Sequence, residues 1–312
     1  MPNYLSSINQ IIASAVAKVP KICLYGQNIN TGTYISGLSK NLAVQDSGKI
    51  INTANCENTL CGLGFGLMLN GVPSVYFVKQ LDFMLLGLDH FVNTYNFIRC
   101  SRDPNLGSFT IIMFVCDQGM QGPQSSLNSF GDFSSLARIP CYTLTNSRDA
   151  ASIINTQLNA PGFRMIALSS RLAKSEFLQL ETVYAAEDLS VFQYTEGDEA
   201  TIACFNFSLP EGYLLYKKLL EKGIASSLFS VNYVPRPNWE QIKKSVARTK
   251  KLVVIDDSKS VHLPAYTLLY EINETVPSFR KIIVTRESDI SFSPSTDNLK
   301  IDFDSIISRL VS

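Results

Sequence analysis

From about residue 20 onward, short β-rich apolar runs alternate with helical stretches, and no other feature constrains the fold as tightly. Lys21-Ile-Cys-Leu-Tyr25, Ser74-Val-Tyr-Phe-Val78, Thr110-Ile-Ile-Met-Phe-Val115 and Arg164-Met-Ile-Ala-Leu168 read as strands. Helical patterns lie between them over 57–70, 83–97 and 147–158. A strand, a crossover helix and another strand imply parallel pairing with helices on both faces of the sheet. The rhythm breaks over 172–198, a stretch carrying Glu181, Glu187, Asp188 and Glu196, and then resumes. The second set of strands is Ala200–Phe205, Ala225–Phe229, Lys251–Ile255 and Lys281–Val284, with helices over 210–222, 238–248 and 262–273 and a last one over 305–310. The expected fold is therefore α/β: two doubly wound domains with mainly parallel sheets. A first domain is expected over 1–180, a linker over 181–196 and a second domain over 197–312.

Composition narrows the function classes. Lys plus Arg and Asp plus Glu both total 27, with no basic block, which argues against a nucleic-acid or anionic-membrane partner. Hydrophobic content of 46% beside only 17% charge points to a surface partly covered by another subunit. The apolar run Leu60–Leu69 is far too short to span a bilayer and reads as a buried helix. The start, Met1-Pro-Asn-Tyr-Leu5, lacks the basic and apolar regions of a signal peptide, so a cytoplasmic location is expected. None of the seven cysteines forms a Cys-x-x-Cys pair, and they read mainly as reduced core residues. With only His90 and His262 in the chain, a His-rich metal site or a Ser-His or Cys-His catalyst has little material.

In doubly wound sheets, ligands sit beyond the carboxyl ends of the strands. The segments there carry Gln27 and Asn28; Glu57; Gln80, Asp82 and Phe83; and Asp117, Gln118, Gln121, Gln124 and Asn128. Glu57 is the most informative of these. It opens an apolar segment rich in glycine (Gly62, Gly64, Gly66), where a carboxylate has no packing role and the helix dipole favours its charged form. A Glu in a first helical turn is also a common helix-start residue. Gly62-x-Gly64-x-Gly66 lacks the spacing of a dinucleotide fingerprint and lies within a helix, which sets aside a Rossmann-type nucleotide binder.

Taken in order, these segments resemble the beta-type subunit of thiamine diphosphate enzymes, as in the decarboxylating component of 2-oxo acid dehydrogenases, with transketolase more distant. The resemblance covers nearly the whole chain. It rests on Leu24-Tyr-Gly-Gln27, the Glu57 segment, Asp82-Phe83 with Leu88-Asp89-His-Phe-Val-Asn93, Arg138-Ile-Pro140 and Ser147-Arg-Asp-Ala150 in the first half. In the second half it rests on Gly197-Asp198 and Ser245 through Asp257. It implies a pyrimidine-binding domain followed by a transketolase C-terminal-like domain. It also implies thiamine diphosphate as cofactor, formation of an acyl or ketol carbanion from a 2-oxo acid or ketose, and transfer of that unit to an acceptor.

Glu57 matches the family glutamate that hydrogen-bonds the aminopyrimidine ring, and burial would help to keep a proton there. Phe83 matches an aromatic beside the pyrimidine, although a core Phe at the start of an apolar helix has the same pattern; Leu81 is expected beside it at the cofactor. Asp89 and Asn93 match an Asp-Gln-x-x-Asn pattern with His90 in place of the Gln, and are expected to order the helix and subunit contacts.

Three departures refine the expectation. The family's His-Ser pair after the fourth strand falls on Asn128-Ser129 or on Ser125-Ser126, so its histidine is absent, and an amide or hydroxyl does not shuttle protons near neutral pH. Gln27, Gln124, Ser125 and Asn128 remain as substrate-side candidates. Gly-Glu-Asp after the first strand becomes Gly26-Gln27-Asn28, removing two charges. No Gly-Asp-Gly segment followed by Asn is present, so an alpha-type subunit is expected to hold magnesium and the diphosphate in an α2β2 heterotetramer. Oxidative 2-oxo acid decarboxylation competes with transketolase-like carbon–carbon bond formation, and the lost histidine favours the second. The reading from another class is a non-catalytic partner that keeps the fold and stabilises an alpha-type subunit.

Overall fold

The computed structural model describes residues 3–118, 126–286 and 299–311. The first domain begins with α1 (Tyr4–Val16), whose N-cap Asn3 accepts hydrogen bonds from the N–H groups of Leu5 and Ser6. Then come β1 (Cys23–Gly26), β2 (Lys49–Asn52), α2 (Glu57–Leu69) and β3 (Ser74–Val78). After an irregular helical stretch, α3 (Tyr95–Ser101), β4 (Ser108–Val115), α4 (Phe130–Ala137), β5 (Cys141–Thr143), α5 (Ser147–Gln157) and β6 (Gly162–Ser169) complete it. All pairings are parallel, in the order β2-β1-β3-β4-β6-β5. The chain therefore moves from β1 to one side for β2 and to the other for β3, which makes the carboxyl ends of β1 and β3 a topological switch point. The strands β3 and β4 are buried along their whole length, as expected for a sheet covered on both faces.

The second domain comprises β7 (Tyr184–Ala185), β8 (Val191–Thr195), β9 (Ala200–Phe205), α6 (Leu209–Glu221), β10 (Ser226–Val231), α7 (Glu240–Thr249), β11 (Lys251–Asp256), α8 (Pro264–Thr275), β12 (Arg280–Thr285) and α9 (Phe303–Val311). Its sheet runs β12-β11-β9-β10-β8-β7, parallel except for β8 against β10 and β7 against β8. Both sheets are thus doubly wound and mainly parallel. The expected linker over 181–196 is corrected here, because it contributes the antiparallel edge pair β7–β8 to the second sheet. Its acidic residues misled the reading. Glu187 and Asp188 fall in the tight turn, where Asp188 accepts from the N–H and the hydroxyl of Ser190, while Val191–Tyr194 is buried.

The helix expected over 83–97 is also broken. Leu81–Gly87 winds as a 3-10 segment, His90–Thr94 as a π segment, and α3 follows. The buried residues of the first piece, Leu81, Met84 and Gly87, repeat every three positions, the period of a 3-10 helix and not of an α-helix. Two apolar layers run through both domains, one on each face of the sheets. One includes Phe65, Phe109 and Phe163 together with Trp239 and Leu268; the other includes Tyr4, Ile12 and Ile153 together with Leu215 and Ile306. Gly64 lets α2 lie on its sheet: a Cβ there would come 2.3 Å from the Phe109 ring and 2.5 Å from the Tyr25 hydroxyl. All seven cysteines are free thiols; Cys56 and Cys100 are exposed and the other five buried.

Candidate active-site cleft

Three connections meet at the β1/β3 switch point. The chain leaves β1 through Gly26, whose φ of +149° and position 2.3 Å (for a Cβ) from the Phe77 carbonyl exclude a side chain. Gln27 and Asn28 follow, both exposed. Asn52, at the end of β2, steadies this turn by accepting the Ile29 N–H at 2.9 Å.

Glu57 is the first residue of α2. Cys56, the N-cap, gives no side-chain cap, and its thiol instead contacts the Thr59 hydroxyl at 2.9 Å. The Glu57 carboxyl has no hydrogen bond or ion pair to any described residue, and the side chain is half-buried, a more open setting than the burial the sequence pointed to. Its charge is felt inward. Burial first, and then the Glu57 carboxylate, push the Cys61 thiol up to about 12; burial, then Cys61 and then Glu57, raise the Tyr76 hydroxyl. Tyr76 belongs to β3 and stacks on Tyr25 of β1, with ring centroids 5.1 Å apart. Glu57 therefore bears on β3, one of the two strands that define the switch point.

The wall after β3 is built by the 3-10 segment. Phe83 is half-buried against the core, with its remaining surface open. Leu81 is corrected: it has 0% exposure and belongs to the core, so it presents nothing to a cofactor. Asp82 has a role that the sequence did not reveal. Its Oδ1 accepts the backbone N–H groups of Ser126 and Leu127 at 3.1 and 3.0 Å, fastening the connection after β4 to the one after β3. A carboxylate holding two successive amides is a strong local clasp.

Asn128 is the second correction. It was expected to face substrate, yet it is fully buried and both ends of its amide are engaged. It donates to the Asp257 carbonyl at 2.6 Å and accepts from Asn206 at 2.8 Å. The expected candidates Gln124 and Ser125, with Gln121, lie outside the described residues.

Asn128 belongs to a buried network that joins the carboxyl ends of the two sheets. Asp257 accepts from Asn206 at 2.7 Å, from the Phe207 N–H at 3.0 Å and from Arg171 at 3.0 Å. Arg171 also pairs with Glu211 and lies 3.6 Å from Asp117. Arg286 donates to the carbonyls of Asp257 and Asp117. Burial, aided by the nearby Asp257, pushes Asp117 up to about 6 against the opposing pull of Arg171. The tandem acids Asp256-Asp257 directly after a buried strand were the one sequence signal of this network. Among the described residues, no group of three or more His, Cys, Asp or Glu is arranged to hold a metal ion.

Two doubly wound, mainly parallel α/β domains are the fold that the resemblance to beta-type subunits of thiamine diphosphate-dependent enzymes implies. The comparisons with particular proteins agree. No protein-family model matches the chain. The pyruvate dehydrogenase E1 component subunit beta of Mesostigma viride is 22% identical over 267 residues, covering 81% of this chain and 78% of that protein. The subunit of the same name from Acholeplasma laidlawii is 20% identical over 280 residues, covering 86% and 84%. A solved structure described as a split gene transketolase, inactive beta4 tetramer, superposes with a TM-score of 0.70 at 13% identity, over 98% of this chain and 96% of that one.

Proposed function

We propose that this chain is the beta-type subunit of a heteromeric thiamine diphosphate-dependent enzyme that moves an acyl or ketol unit from a 2-oxo acid or ketose to an acceptor in the cytoplasm. The observation that carries the reading is the Glu57 carboxyl, which stands at the start of α2, beside the β1/β3 switch point, with no partner among the described residues. A buried carboxylate of structural purpose would be paired; one left free at a ligand edge is available to a ligand.

The residues present fit the pyrimidine half of the cofactor. Glu57 would hold or exchange a proton at a ring nitrogen, Phe83 would offer its open face to the ring, and Asp82 keeps the 126–128 connection in place beside them. When bound, the cofactor supplies the electron sink that this chain lacks. Magnesium and diphosphate would be held mainly by an alpha-type partner in an α2β2 assembly. An assembled state is supported by exposed apolar side chains on neighbouring elements: Leu63 and Leu69 of α2, Leu85 and Leu86 of the 3-10 segment, and Phe97 of α3 at 83% exposure. Among acceptors, a carbonyl compound is favoured over a lipoyl group, since neither Asn128 nor Ser129 supplies a titrating imidazole and Asn128 is committed elsewhere.

The test is calorimetric titration of thiamine diphosphate and magnesium into this chain alone and into its complex with a co-expressed alpha-type subunit. Binding by the complex, abolished or strongly weakened by Glu57→Gln, is the expected result. A well-folded complex that binds nothing would leave a non-catalytic partner subunit as the function.

A further inference from the structure

The second sheet has a switch point of its own. From β9 the chain moves to β10 on one side and then to β11 on the other, so the carboxyl ends of these strands diverge. Over them, closed on the far side by α4 of the first domain, lies a cleft of about 1110 Å³. This slightly exceeds the usual range for small-molecule sites, roughly 300 to 1,000 Å³, and would accept a mononucleotide. Its deep wall is aromatic: Phe205 at the end of β9, and Tyr233 and Trp239 in the β10–α7 connection. Tyr233 packs over Gly131 of α4, where a Cβ would lie 3.2 Å from the ring.

The polar side chains lining this cleft include several donors and cations. Trp239 Nε1 is buried without a hydrogen-bond partner, in a residue only 4% exposed. Such an atom is rare in folded proteins and costly, at about 1 to 3 kcal/mol. Tyr233 Oη, in a residue 3% exposed, is turned to the Ser258 hydroxyl. The helix α8 begins at the same cleft with Pro264, has no side-chain cap and carries no acid in its first turn; proline has no N–H and the Tyr266 N–H is spent on the Leu263 carbonyl, which leaves the Ala265 N–H for an acceptor. The guanidinium groups of Arg138 and Arg236 line the mouth with no partner among the described residues, and His262 lies beside them. The single acid, Asp132, is turned to Ser260 and His262.

We propose that this interdomain cleft is a second ligand site, taking a planar organic anion of the nucleotide class. The ring lies against Tyr233 and Trp239, with Trp239 Nε1 donating to a ring acceptor. The phosphate meets Arg138, Arg236 and the start of α8. Nothing in this assignment depends on the thiamine diphosphate reading, because the cleft lies at the edge of the other sheet.

Trp239 is the only tryptophan in the chain, so its emission reports on this cleft alone. Titrating the full chain with AMP should change that emission saturably, with half-saturation below about 1 mM. Adenosine and inorganic phosphate should each be at least about tenfold weaker, since each keeps only half of the recognition. Arg236→Ala removes an exposed, unpartnered side chain and should leave the melting temperature unchanged while weakening AMP about tenfold or more, with calorimetry as the second readout. Tyr233→Phe, followed in the same way, should weaken it severalfold. Glu57→Gln should leave AMP binding intact, which separates this site from the cofactor cleft. No saturable change up to about 10 mM AMP, equal binding of inorganic phosphate, or AMP binding undiminished in Arg236→Ala would each overturn the proposal.

Discussion

Glu57 and Asp257 both stand beyond the carboxyl ends of parallel strands, one in each domain, and their surroundings are opposite. Asp257 is fully buried and saturated: two guanidinium groups, two amides and a backbone N–H converge on its carboxylate or its carbonyl. Glu57 is half-buried and has no described partner. Taking a charge out of water costs several kcal/mol unless it is paired, so a carboxylate that folding needs is surrounded by donors, while one that a ligand needs is left accessible. The contrast separates two acids that a strand-end rule alone would treat alike.

Breaking the comparison from the ligand side should give the largest effect. Glu57→Gln should lower turnover of the assembled enzyme by roughly 10²- to 10⁴-fold, the usual worth of a proton-handling group, and leave the unfolding midpoint nearly unchanged. A melting shift as large as the activity loss would make Glu57 structural. From the other side, Asp257→Ala leaves Arg171 and Arg286 facing each other without their shared acid. It should cost about 3 to 5 kcal/mol in urea unfolding, with loss of activity only through loss of fold. Asn128→Ala should cost about 1 to 3 kcal/mol by the same measurement. If instead it lowers kcat with stability intact, Asn128 would return to the substrate side.

The smallest effect is one of pH. Burial raises Asp149 from 3.8 to about 6, although the hydroxyls of Tyr194 and Thr182 hydrogen-bond it and oppose the shift. The native state holds a proton there that the unfolded chain releases between these values. Its contribution to stability is therefore full below the unfolded value and is lost as pH rises through about 6. Asp149→Asn should flatten the fall in stability between about pH 4 and pH 7 by roughly 1 to 2 kcal/mol, read from urea midpoints at both ends. An unchanged slope would assign the pH dependence to Asp117 and Asp256, both also near 6 through burial.

What could be read in advance follows from how far each signal reaches along the chain. The βα alternation is local and repeated, so both doubly wound sheets and the edge where Glu57 stands were visible from strand and helix periods. The β7–β8 pair escaped because its two strands are short and the acids Glu187 and Asp188 lie between them. Leu81 was assigned to the cofactor by its place beside Asp82 and Phe83, but a three-residue period turns it into the core. Asn128 shows the deeper obstacle: an amide in a strand-end loop looks the same whether it meets a substrate or an aspartate 129 residues away.

By itself, then, the sequence determined the class of fold, the two domains' winding and the helix start that bears Glu57, because these depend on periodicity and on neighbours within a few residues. Which polar groups are spent on holding the domains together, and which are left for ligands, was decided only in the tertiary structure. Pairing of buried charge is settled between strand ends that the chain brings together from opposite domains, and burial itself exists only once both have folded.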